Sequence, residues 1–365
     1  MLPSGPPTAC GNSSDALNSA ASGRTKAPFS STATRLIAEA TIAADVEARQ
    51  LCFAGVRRQD ALQTILPLLR CPTDCSELIW DQVSSQLVCA QGAHCFPVEA
   101  DIPRLFAPND WPRGKPDVTE AVKEFYETSP FPNYDGLDTR DSLRHRVGAA
   151  SFGRMVDEQL PHTARILEIG CGTGRMTNFL GMGWGRTVIG ADLCMNSLKL
   201  AKEFRDRFEI NNAYFAQINL FRPPFVRAGF DVVVSDGVLH HTSDCCGAFR
   251  SIAQLVKPGG IIIVGLYNWL GRLPTLWRRR VIKGGRYPHE TRHSMDEVLG
   301  WFESEGFNFT GSIPIIDDAE FSEQMPLFEV RSAGRRRDRV ASEIEMLLTG
   351  GKDRGKFVMI GRKRL

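Results

Sequence analysis

Arg165-Ile166-Leu167-Glu168-Ile169-Gly170-Cys171-Gly172-Thr173-Gly174 runs a short strand-like segment into three glycines at alternate positions, and a helical pattern follows. Glycines are needed where backbone turns sharply and approaches a ligand with no Cβ in the way. The following helix start offers free N–H groups and a positive dipole end. A dinucleotide loop is the obvious rival, with the pattern G-x-G-x-x-G. Counted from Gly170 the third glycine falls on Arg175, and counted from Gly172 it falls on Thr177, so the pattern fails in both frames. Glu168, two residues before the first glycine, would repel a pyrophosphate and attract an ammonium group.

Beyond this segment, short apolar runs alternate with amphipathic helices. Strands are expected at Arg165–Ile169, Thr187–Ala191, Ala213–Ile218, Phe230–Ser235 and Ile261–Tyr267. One helix carries Leu198, Ala201 and Phe204 on a stripe, and another carries Phe249, Ile252, Ala253 and Val256. Ser294 with Glu297 makes a capping box that starts a later helix ending near Gly306. Phe309–Ile315 and Phe357–Gly361 are two closing strands around an insertion of about 40 residues. Strands alternating with helices predict an α/β fold, a doubly wound and mostly parallel sheet. Asp192 closes the second strand, where a carboxylate accepts hydrogen bonds from ribose hydroxyls or else caps the next helix.

Glu168–Gly174, Asp192, Asn219-Leu220, Ser235–His241 and Lys257-Pro258-Gly259-Gly260 come in an order and spacing that resemble class I S-adenosylmethionine-dependent methyltransferases. The ubiquinone and menaquinone biosynthesis branch is the most similar, and the likeness covers roughly residues 117–310. It implies a seven-stranded Rossmann-like sheet and S-adenosylmethionine as cofactor. That molecule carries an ammonium, a sulfonium and no phosphate, in keeping with Glu168. On this likeness the cofactor site comprises Glu168, Gly170, Cys171, Gly172, Thr173, Gly174, Asp192, Leu193, Asn219, Leu220 and Ser235. Asn219 stands at the position that contacts the adenine amino group.

Strand four runs on through Ser235 to His240 and His241, at the sheet edge where ligands of doubly wound folds bind. Methyl transfer needs a lone pair on the acceptor, so a hydroxyl or ammonium must lose its proton. An imidazole titrating near neutrality suits that task, while a carboxylate acceptor needs no base. His241, farther past the strand end, is the candidate base, and His240 is the second candidate. The resemblance has one such histidine face the cleft and the other brace the loop; both could also simply pack. Trp269, Trp277 and Tyr287 after strand five are placed for an acceptor pocket, and Phe131-Pro132-Asn133-Tyr134 for a cover over the cofactor.

Residues 1–33 read as a disordered Ser-, Ala- and Pro-rich leader, residues 34–116 as a helical and ribbon-like module with a linker, and residues 117–365 as the catalytic domain. Cys71, Cys75, Cys89 and Cys95 resemble a degenerate zinc ribbon, similar to the small activator of tRNA and protein methyltransferases. Their spacings leave three and five residues between partners, and Gly92 stands where a cysteine is expected, so no metal is assigned. The net charge of +2 neither demands nor excludes a polyanion. No run of 18 apolar residues or secretory signal is found, so a cytoplasmic protein with free thiols is expected. The favoured activity is methyl transfer to a small-molecule oxygen or carbon. The alternatives are a tRNA-modifying methyltransferase, for which the late arginine clusters speak, and a non-catalytic binding module.

Overall fold

A computed structural model of the chain describes residues 61–111, 117–137, 139–148, 151–281, 289–316, 325–349 and 355–365. The expected leader, most of the first helical segment, and Tyr287 lie outside them.

The described chain starts with a helical turn and an antiparallel ribbon: β1 (Leu78–Asp81), β2 (Gln86–Cys89), β3 (Cys95–Glu99) and β4 (Ile102–Leu105). Three helices follow: α1 (Thr119–Thr128), α2 (Arg140–Gly148) and α3 (Ser151–Gln159). The glycine segment then opens an alternating series: β5 (Arg165–Ile169), α4 (Arg175–Leu180), β6 (Thr187–Asp192), α5 (Met195–Arg207), β7 (Ala213–Ile218) and β8 (Phe230–Asp236). It continues with α6 (Cys245–Ala253), β9 (Val256–Tyr267), α7 (Leu273–Val281), α8 (Met295–Ser304), β10 (Phe307–Ile313), α9 (Arg336–Thr349) and β11 (Lys356–Lys363).

The strand order is β1-β2-β3-β4-β7-β6-β5-β8-β9-β11-β10. β5 to β9 are mutually parallel, and β11 and β10 close the edge antiparallel. These are the seven expected strands. The ribbon continues this sheet, for β4 pairs parallel with β7 through Arg104 and Leu105, so that the described strands form one sheet of eleven.

The apolar runs are uninterrupted because both faces of the sheet are covered. Ile166, Val188, Phe215 and Val232 join one core with Leu198, Ala201 and Phe204 of α5. Their strand neighbours Leu167, Ile189, Ala216 and Val233 join a second core with Phe249 of α6 and Phe302 of α8. Two expectations change in detail. Val256 is not on the helical stripe, for α6 stops at Ala253 and Val256 pairs with Phe230 as the start of β9. The capping box of α8 is half formed: Ser294 accepts from the Glu297 N–H at 3.1 Å, while the Glu297 carboxylate pairs with His293 at 3.0 Å. The order of the parallel strands reverses between β5 and β8, and a crevice opens there at the carboxyl ends.

Candidate active site

A cavity of about 570 Å³ fills that crevice, walled by the ends of β5 to β8 and by α1. The glycine loop forms its floor. Gly170 and Cys171 donate their N–H groups to the Ala191 carbonyl at 2.7 and 3.1 Å. Gly172 donates to Asp192 Oδ2 at 2.7 Å, and Cys194 donates to Oδ1 at 2.9 Å. Asp192 therefore ties the loop to the start of α5 and still faces the cavity. Each carboxylate oxygen keeps a second lone pair, so this bracing leaves room for ribose hydroxyls.

The loop must turn in the left-handed region, with φ of +74° at Gly170 and +54° at Gly172. A Cβ at Gly172 would sit 2.1 Å from the Phe131 carbonyl oxygen, so the close approach is made by the chain's own Phe131–Tyr134 segment. That segment clamps the loop from outside. Tyr134 donates its hydroxyl to the Thr173 carbonyl at 2.6 Å, Thr173 Oγ1 donates to the Pro132 carbonyl, and Arg175 donates to the Asn133 carbonyl. Of the expected cofactor contacts, Thr173 is buried in the clamp and Gly174 starts α4, and neither is among the residues lining the cavity.

Glu168, Gly170, Cys171, Gly172, Asp192, Leu193, Asn219 and Leu220 do line it. Glu168 accepts a hydrogen bond from Thr177. Burial, with Asp236 and Asp192 nearby, pushes its carboxyl up to about 7. Burial raises Asp192 as well. A buried acidic wall of this kind favours a cationic ligand, whose charge would draw both carboxyls back toward the ionised form. The side-chain amide of Asn219 donates to the Ala107 carbonyl and to Asn109 Oδ1 at 2.9 and 2.7 Å, and its oxygen accepts from the Phe221 N–H. Ser235 is not among the residues lining the cavity. Val234 and Asp236 line the cavity, and strand alternation turns Ser235 to the other face, fully buried.

The two histidines separate. His241 lines the cavity, with Nδ1 2.8 Å from the His289 carbonyl. A carbonyl only accepts, so Nδ1 carries the proton and Nε2 of the neutral ring is the basic nitrogen. Burial holds its pKa below the ordinary imidazole value. His240 does not line the cavity; it is fully buried and packs on Tyr267 with ring centroids 3.9 Å apart. The second candidate base thus lies outside the cavity lining.

Sequence reasoning missed several walls. The apolar side of α1 supplies Val118, Val122 and Tyr126 from more than 40 residues upstream of the glycine loop. Tyr267 and the ion pair Lys356–Asp236, 2.8 Å long, close the histidine end. Trp269 and Trp277, placed in the acceptor pocket from sequence, are exposed and outside the cavity lining. In the ribbon the four cysteines do not converge. Cys75 and Cys95 are exposed, whereas Cys71 and Cys89 are buried beside Asp74 and His94.

Residues 162–303 match the family model of a methyltransferase domain. This part of the chain is similar to methyltransferase domains. It contains the glycine loop, Asp192 and His241, while α1 and the clamp lie before it and Lys356 after it. An uncharacterized protein of Synechococcus sp. is 32% identical over 161 residues, which are 42% of this chain and 38% of that protein. A demethylmenaquinone methyltransferase of Oceanobacillus iheyensis is 27% identical over 41% of this chain and 63% of its own length. A ubiquinone biosynthesis O-methyltransferase of Cereibacter sphaeroides is 32% identical over 33% and 48%. The chain thus spans between about four- and six-tenths of these relatives' lengths. Among the described residues no helix is long and apolar enough to cross a membrane.

Proposed function

We propose that this chain transfers a methyl group from S-adenosylmethionine to an oxygen or carbon of a small molecule. The observation that carries the reading is the cavity's acidic floor. Glu168 and Asp192 flank the glycine loop, and the only lysine or arginine among the described cavity-lining residues, Lys356, is paired with Asp236. A pyrophosphate would meet carboxylates there, whereas an α-ammonium and a sulfonium would be attracted. The donor set fits: Glu168 suits the ammonium, Asp192 the ribose, and Asn219 with Leu220 and Leu193 the adenine. Bound there, S-adenosylmethionine supplies an electron-deficient methyl group.

The rest of the chemistry belongs to the chain. The clamp holds the loop, and α1 with Tyr126 shields the cavity from water. His241, fixed by the His289 carbonyl, takes the proton of an acceptor hydroxyl at Nε2 as the new bond forms. A cavity of about 570 Å³ suits a cofactor and a compact acceptor. The names of the quinone-pathway relatives support an acceptor of that class.

Calorimetry with S-adenosylmethionine, S-adenosylhomocysteine and NAD tests the cofactor; binding of NAD alone would overturn it. Labelled-methyl transfer over extract fractions tests the acceptor. Label in the small-molecule fraction is expected, and label in RNA alone would replace this acceptor class with the nucleic-acid alternative.

A further inference from the structure

We infer that the ribbon holds a divalent metal of the zinc type on Cys71, Asp74, Cys89 and His94, a ligand set that the cysteine spacing does not reveal. One donor atom from each of these four side chains lies within 4.8 Å of all the others. Two successive chain turns bring them together. The first begins at Cys71, whose carbonyl accepts from Cys75 N at 2.9 Å and whose N–H donates to the Ser76 carbonyl at 2.8 Å. The second begins at Cys89, whose carbonyl accepts from Gly92 N at 2.7 Å and whose N–H donates to the His94 carbonyl at 2.9 Å. Each turn passes through a left-handed residue, Cys75 at φ +62° and Gly92 at φ +71°. The turns face each other and each offers one thiol and one harder donor.

The distances suit a tetrahedral ion. Zinc bonds of about 2.3 Å to sulfur and about 2.0–2.1 Å to nitrogen or oxygen put neighbouring ligand atoms about 3.3–3.8 Å apart. Cys71 Sγ lies 3.5 Å from His94 Nδ1, and His94 Nδ1 lies 3.3 Å from Asp74 Oδ2. Asp74 Oδ2 is 3.1 Å from Cys89 Sγ, slightly closer, as the hydrogen bond between them requires. Two thiolates, an imidazole and a carboxylate select zinc over the hard oxygen-loving cations. The two sulfurs are buried, while Asp74 and His94 keep about a third of their side-chain surface exposed, which leaves an entry path. Cys75 and Cys95, exposed outside the cluster, take no part.

The ion would fasten the ribbon to the cofactor wall. Arg222 donates to the carbonyls of Pro72 and Thr73 inside the first turn, and lies three residues beyond Asn219.

Elemental analysis of the full chain, expressed with zinc and purified under reducing conditions without chelator, should give one zinc per chain. Cys75→Ser and Cys95→Ser should keep it. Cys89→Ser and His94→Ala should lower it at least tenfold. Cobalt added to the metal-free wild-type chain should give thiolate-to-cobalt charge transfer and the intense visible bands of a tetrahedral site. This second readout needs no variant to fold. The proposal is overturned if wild-type chain carries no zinc and gives no tetrahedral cobalt spectrum. It is also overturned if metal content follows Cys75 or Cys95, or if intact mass shows Cys71 and Cys89 joined in a disulfide under those reducing conditions.

Discussion

His241 shows how a single backbone oxygen sets chemistry. The His289 carbonyl fixes the proton on Nδ1, and burial lowers the ring's pKa, so the neutral base persists below the ordinary imidazole range near 6.5. The sign follows directly. A base works deprotonated, so kcat/KM for a hydroxyl acceptor should rise with pH through a midpoint below that value and stay flat above it. His241→Ala should lower kcat by about 10²–10⁴ and abolish that limb, with cofactor affinity much less affected. A limb that persists in His241→Ala assigns the proton to another group. The spacing past the strand end points to His241, which lines the cavity, but gives no sign of His289, which contributes a main-chain carbonyl. Gly172 is a similar case. Its glycine requirement was readable, while the reason, the Phe131 carbonyl, was not. Gly172→Ala should destabilise the fold by about 1–2 kcal/mol from the left-handed backbone alone, measured by urea unfolding, and more once the clamp is displaced. An unchanged midpoint would show that the clamp does not hold the loop.

At the level of elements, β5 to β8 were legible to within a residue because each lies buried between two helical layers. Their continuous apolar runs have no competing interpretation. The helix α1 was not legible as part of the site. It has no fully buried residue, and its apolar positions Val118, Val122 and Tyr126 face the cavity instead of a core. Periodicity reveals that a face is apolar but not what it faces. Glu127 at its end accepts from the N–H groups of Met195 and Asn196 and so anchors α1 to the start of α5. An element whose apolar side meets a ligand gains burial when the ligand binds. Hydrogen exchange over residues 117–128 should therefore slow when S-adenosylhomocysteine is added, and the protection should shrink in Glu127→Ala. Exchange that is equally fast with and without ligand would mean that α1 does not close over the cofactor.

The strands of the described residues form one continuous sheet, which joins the ribbon to the wall of the cavity. The onset of alternating strands and helices near residue 117 predicts a boundary, and across it β4 pairs with β7, while Asn219 at the end of β7 is held by Ala107 and Asn109 of the connecting segment. Arg222 makes the same link through its bonds to the Pro72, Thr73 and Pro108 carbonyls. Charged donors to carbonyls contribute about 1.5–3 kcal/mol each at most, so Arg222→Ala removes a tie worth roughly that much. The described part should accordingly melt in one calorimetric transition, the ribbon together with the cofactor domain. A ligand that binds only the folded state stabilises by about 2.7 kcal/mol at 100 times its Kd. With about 2.1 cal/mol/K of unfolding entropy per residue, that raises the Tm of a chain of this size by roughly 3–5 °C. S-adenosylhomocysteine should produce this shift and NAD should not. In Arg222→Ala both Tm and cofactor affinity should fall, because the guanidinium that docks the ribbon also steadies the turn bearing Asn219. A fall in Tm with affinity unchanged would show that the ribbon is attached to the sheet without supporting the cofactor wall.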